Sequence, residues 1–186
     1  MKRALILVAA AGLLAAACGG GAGQAVASPT AVPTPTPTPT QPTSLVFTAD
    51  LSPANENPPI TDAEQSGSGT ATVTLDLTRD STGKITAAKA KFEFVLKGFP
   101  STTDLILAHI HLGDAKTNGG VKVDSGLKAD SPTTLTTGGT TVTKSDLTVD
   151  AALAADIIAN PANYYFNVHS KVHPGGVARG QLKLKA

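Results

Sequence analysis

The chain has 186 residues, 41% hydrophobic and only 16% charged, which supplies the apolar material for one ordinary domain and excludes a wholly disordered chain. Lys and Arg total 15 against 14 Asp and Glu, a formal net charge of +1 that cannot gather nucleic acid, so no nucleic-acid partner is expected. Aromatic residues are only 4%, with no Trp, and Val, Thr, Gly and Ala abound, which favours strands over packed helices; the one cysteine, Cys18, rules out an intramolecular disulfide.

Residues 1–17 read as a signal peptide, because Lys2 and Arg3 precede an apolar run, Ala4 to Ala17, that is short for a membrane span. The run closes on Leu14, Ala15, Ala16, Ala17 and Cys18, which resembles the lipobox of bacterial lipoproteins, where the Cys is acylated and becomes the mature N-terminus. That resemblance implies a lipid anchor on Cys18 and a domain tethered to the membrane of the bacterial cell envelope, facing the extracytoplasmic side. The alternative is a secreted protein cut near Ala17. Loss of Lys2 and Arg3 would lower the 15 basic groups to 13, against 14 acidic ones.

Residues 18–43 read as the acylated Cys and a disordered linker, starting with Gly19, Gly20 and Gly21 and passing into alternating Pro and Thr from Pro33 to Thr40. The prolines stiffen it toward polyproline II, with a reach on the order of 75 Å.

Residues 44–186 form the expected folded domain, an all-β, Greek-key sandwich with one short helix. Leu45, Phe47, Ala49 and Leu51 alternate with Val46, Thr48 and Asp50, and Ala71, Val73, Leu75 and Leu77 with Thr70, Thr72, Thr74 and Asp76, while Ala88, Ala90, Phe92, Phe94 and Leu96 form the apolar set of a third strand after a turn at Arg79 to Lys84. The next strand, Leu105 to Leu112, points Ile106, Ala108, Ile110 and Leu112 at the core and leaves Leu105, Leu107, His109 and His111 on the other face. Weaker strands are expected near Val121 to Leu127 and Thr133 to Thr143. Asp150 caps a helix, Ala151 to Ala159, that Asn160 and Pro161 stop. Tyr164, Phe166 and Val168 alternate with Tyr165, Asn167 and His169, and a last strand from Ala178 buries Leu182 and Leu184.

All 4 histidines fall in two clusters: His109 and His111 as H-x-H on a strand, and His169 and His173 where a strand enters the turn at Pro174, Gly175 and Gly176. With Cys18 committed to acylation, a transition-metal site in the domain must rest on imidazole, which suits copper, zinc or nickel. The alternative is that these side chains are polar surface or hold loops in place. Asn55, Glu56, Asn57, Pro58 and Pro59 read as a rigid turn, since consecutive prolines fix the backbone. No Ser-His-Asp order, phosphate loop or carboxylate pair rises above chance, so nothing in the sequence supports a hydrolase.

Three motifs carry a family resemblance. Asn55-Glu56-Asn57-Pro58-Pro59, Ala108-His109-Ile110-His111-Leu112-Gly113, and Tyr165-Phe166-Asn167-Val168-His169 with Pro174-Gly175-Gly176 and Arg179-Gly180-Gln181-Leu182 resemble the CHRD (chordin-type) domain across nearly all of 44–186. The chain departs from the family pattern at Val177, where that pattern has Glu. A second, weaker resemblance is to Cu/Zn superoxide dismutase, another Greek-key sandwich. His109-Ile110-His111 before Gly113-Asp114 is similar to its copper strand, His169 to its later copper ligand, and Arg179 to the guanidinium beside the copper. Between Gly113 and Asp130 there is no His, so the bridging imidazole and zinc loop are missing and dismutation by that mechanism is not expected.

These readings give a tethered lipoprotein with a copper site made by His109, His111, His169 and His173, zinc being the lesser candidate, with Arg179 and Asp114 behind the ligands. Its role would be metal capture, delivery or redox protection; enzymatic activity is left open, the non-enzymatic reading being preferred. The competing reading is a metal-free module that binds protein or polysaccharide at the cell surface.

Overall fold

The computed structural model describes residues 40–185. The expected signal peptide, Cys18 and most of the expected linker lie outside the described residues. Among those described, ten strands build two antiparallel sheets: β1 (Ser44–Leu51), β2 (Ser68–Arg79), β3 (Ile85–Lys97), β4 (Asp104–Leu112), β5 (Val121–Asp124), β6 (Thr133–Thr134), β7 (Thr140–Val149), β8 (Tyr164–Ser170), β9 (Ala178–Gln181) and β10 (Lys183–Leu184). One sheet has the order β10-β1-β2-β3-β7 and the other β5-β4-β8-β9, with β6 also on β4. β10 returns to lie beside β1 after the β1-β2-β3 meander, the strand order of a Greek key.

Alternation builds the first sheet. Ala71, Val73, Leu75 and Leu77 of β2 and Ala88, Ala90, Phe92, Phe94 and Leu96 of β3 are buried, facing the core, while the residues between them are less so. The sheets meet on aromatic rings: Phe92 of β3 stands edge-on to Phe166 of β8 at 5.2 Å between centroids, and Phe94 lies 5.4 Å from the same ring. The helix α1 (Ala151–Ala159) starts where expected, since the Asp150 carboxylate accepts from the amides of Ala152 and Leu153, and it buries Ala154 and Ile157.

Three expectations are corrected by bulges and a crossover. Between Leu105 and Leu107 the β4 register slips against β8, so Leu105 joins the core cluster and Ile106 is buried outside it, while Leu112 ends 40% exposed. The weak strand expected over Thr133 to Thr143 is really two, the short β6 and the longer β7; a bulge around Asp146, whose φ is +57°, breaks the alternation that would have marked β7. Finally, Leu182 is buried but Leu184 is 49% exposed, because the chain leaves one sheet at Gln181 and joins the edge of the other at Lys183.

Candidate metal centre

β4 and β8 are neighbours, with His109 opposite Asn167, Leu107 opposite His169 and His111 opposite Tyr165. His109 and His111 are two apart and so share a face, and His169 sits diagonally from His109 on the same face, within reach for ring side chains. This is the face turned away from the core. It is nevertheless closed, for His109, His111 and His169 are 6%, 7% and 4% exposed. The ring centroids form a triangle of 4.9, 5.4 and 5.6 Å, and one ligand atom from each ring lies within 4.8 Å of the other two.

Each ring is pinned from behind by an oxygen. His111 Nδ1 faces the Gly119 carbonyl at 2.9 Å and His169 Nδ1 the Pro174 carbonyl at 3.0 Å. A carbonyl can only accept, so both Nδ1 atoms carry the proton and both Nε2 atoms present lone pairs. His109 Nε2 stands 3.5 Å from the Asp124 carboxylate, which turns its Nδ1 toward His169 Nε2, 3.1 Å away. The free nitrogens thus converge, the arrangement that ligating histidines backed by carbonyl or carboxylate adopt. The test of fit is His111 Nε2, which is buried with no hydrogen-bond partner. A metal ion would supply the missing partner, at a bond length of about 2.0–2.1 Å for zinc.

Electrostatics keep the rings in the ligating form. Burial holds the His169 imidazole down to about 4, the Pro174 carbonyl opposing and the other two rings adding to the effect. Burial also lowers His109, against the pull of Asp124, and His111, against the pull of the Gly119 carbonyl. All three are therefore neutral at pH 7.

Two residues that the sequence did not assign to the site, Tyr165 and Gly119, hold His111. Tyr165 stacks on its ring at 5.0 Å and 10° between planes, while the Arg179 guanidinium covers the tyrosine at 4.8 Å. The Tyr165 hydroxyl accepts from the Gly119 amide at 3.1 Å, and the Gly119 carbonyl takes the His111 proton. Gly119 must be glycine, because a Cβ there would lie 1.3 Å from the Leu112 carbonyl oxygen. The Gly119-Gly120 pair was the available signal, but nothing in sequence linked it to His111.

The remaining expected residues lie elsewhere. His173 does not join the three; its Nε2 pairs with Asp62 at 2.8 Å. Asp114 closes its own loop, accepting from the Lys116 amide and the Thr117 hydroxyl at 2.9 and 2.8 Å, and does not stand behind a ligand. Arg179 is 1% exposed and spends its protons on loops, donating to the carbonyls of Asn55, Thr117 and Ala115 and to Asn118 Oδ1, with the Glu56 carboxylate at 4.0 Å. The expected turn at 55–59 thereby becomes one jaw of a clamp on Arg179. Burial raises Glu56 to about 7, with Arg179 pulling the other way. Val177, where the chain departs from the family pattern, is fully buried in the core.

Against known proteins, the family model described as CHRD domain matches residues 47–182, which includes all three converging histidines, Tyr165 and Arg179. No curated protein and no solved structure matches the chain.

Proposed function

We propose, from the premise that the chain belongs to the CHRD domain family, that its domain is a copper-binding module held at the bacterial cell surface by lipid on Cys18. The observation that carries the metal is the convergence of three buried, neutral imidazoles, one of which, His111, has a ring nitrogen with no other partner. Preference for copper follows from the donor set, since three nitrogens with no thiolate favour Cu(II) over Zn(II) at equal availability. Bound copper would supply one-electron chemistry. The protein's part is to set the rings through Gly119, Pro174 and Asp124, to keep them deprotonated by burial, and to limit water. That is suited to capture, delivery or redox protection. The tether rests on the run Leu14 to Ala17 before Cys18.

The test is metal analysis of protein purified without added metal, then titration of the chelator-treated protein with copper and zinc. One equivalent of copper, bound more tightly than zinc and lost in His111→Ala, is the expected result. Mass spectrometry of the mature N-terminus should find an acylated Cys18; an unmodified start elsewhere would remove the tether. A second reading, a metal-free interaction module, draws on the hydrogen bonds by which His111 and His169 hold the loops at Gly119 and Pro174. Absence of metal from the purified protein and no binding on titration would favour it.

A further inference from the structure

We propose that Glu64, Thr103 and Asp62 form a separate oxygen site for a divalent cation of the calcium class, distinct from the imidazole centre. The three residues line a cavity of about 180 Å³ together with Pro100, Thr102 and Val172. Glu64 is 4% exposed and Thr103 3% exposed, and each has an oxygen, Glu64 Oε1 and Thr103 Oγ1, that is buried without a hydrogen-bond partner. Two residues of one cavity lining that each keep such an orphan are unusual, because buried polar atoms are almost always paired.

Charge indicates a cation over water alone. The other oxygen of Glu64 accepts from Ser170 Oγ at 2.6 Å, a neutral donor. Among the described residues the one basic side chain within 4 Å of Glu64 is His173, at 3.8 Å, and that ring is already engaged with Asp62 at 2.8 Å. Nearby Lys171 is paired with Asp104 at 2.8 Å. A buried carboxylate left without a counter-charge is strongly unfavourable, a cost that a water dipole offsets only in part. Asp62 brings a second carboxylate to the same turn, its Oδ1 accepting from the Glu64 amide at 2.9 Å. Carboxylates plus a hydroxyl, completed by water, are hard oxygen donors of the kind calcium takes.

Calcium is also the probe that separates this site from the imidazole centre, whose converging donors are all nitrogens. The experiment is thermal melting of the chelator-treated mature protein in calcium chloride, against sodium chloride of equal ionic strength. For a site in the range of extracellular modules, roughly 0.1–1 mM, calcium at ten times the Kd should raise Tm by about 3–6 °C. Glu64→Gln and Thr103→Val should each lose that rise while keeping their copper binding. No rise in the wild type, the result for a cavity that holds water only, overturns the site, as does a rise kept by both variants. If Glu64→Gln does not fold, Thr103→Val alone decides.

Discussion

The outer faces of the two sheets both carry the polar residues of alternating strands, yet only one of them is closed to water. On the β1-β2-β3-β7 side, Thr72, Glu93 and Thr143 lie in register across the strands and stay half-buried or exposed. On the β4-β8-β9 side, the corresponding row of His109, Asn167 and Arg179 is buried, and every residue of β8 is buried on both faces. An open polar face asks nothing of its residues beyond solubility. A closed one must find a partner for each nitrogen and oxygen, so the residues there are specified individually. His111 Nε2, which has none, belongs to the three-ring group that could hold a metal ion.

Substitutions on the two faces should therefore separate by orders of magnitude. The largest effect is expected from His169→Ala, which removes a ligand and the bond to Pro174; copper affinity measured by competition titration should fall at least 100-fold. Gly119→Ala comes next, because its methyl would collide with backbone, and removing that clash moves the carbonyl that fixes His111. A loss of about 3 kcal/mol or more in chemical denaturation is expected, with weakened copper binding. Tyr165→Phe deletes only the hydroxyl that accepts from Gly119 and should cost about 1 kcal/mol, with a several-fold loss in copper affinity. At the bottom, Thr72→Ala on the open face should shift stability by no more than about 0.5 kcal/mol and leave copper binding unchanged.

Acid sharpens the same contrast. His169 titrates at about 4 in the folded domain against an ordinary value of 6.5, so the unfolded chain binds the extra proton between those limits. The metal-free domain should lose this contribution as pH falls from about 6.5 toward 4. Glu56 works in the opposite sense: raised to about 7 from 4.5, it gives a contribution present at low pH and lost as pH rises through that window. Glu56→Gln should remove the opposing slope and make the acid loss steeper, whereas His169→Gln should flatten it, both read from denaturation midpoints across pH.

Much of this was visible in the sequence, for identifiable reasons. β1, β2, β3 and α1 follow uninterrupted local patterns, with two-residue alternation in the strands and an Asp150 cap before the helix, and short-range chemistry fixes them. β7 was obscured because Asp146 inserts a residue and changes which face its neighbours occupy, and Leu105 for the same reason on β4. The histidine pairs could be seen as candidates. Their grouping could not, since it depends on β4 pairing with β8, which sets His109 against His169, 60 residues apart in the chain. His173 is the converse case: its spacing from His169 invited a shared role, but the turn at Pro174 directs it to Asp62 instead.

The crossover at Leu182 has a kinetic consequence. Since β9 completes one sheet and β10, directly after it, completes the other, neither sheet can close before Ala178–Gln181 and Lys183–Leu184 have paired. The contacts that bring His169 and Arg179 to their places are long-range pairings of the kind that slow folding, typically to milliseconds or seconds. A chain folded only as far as β4 would thus display His109 and His111 without their third ring. The three-ring cluster exists only once β8 has paired with β4, so a chain lacking that pairing does not acquire it.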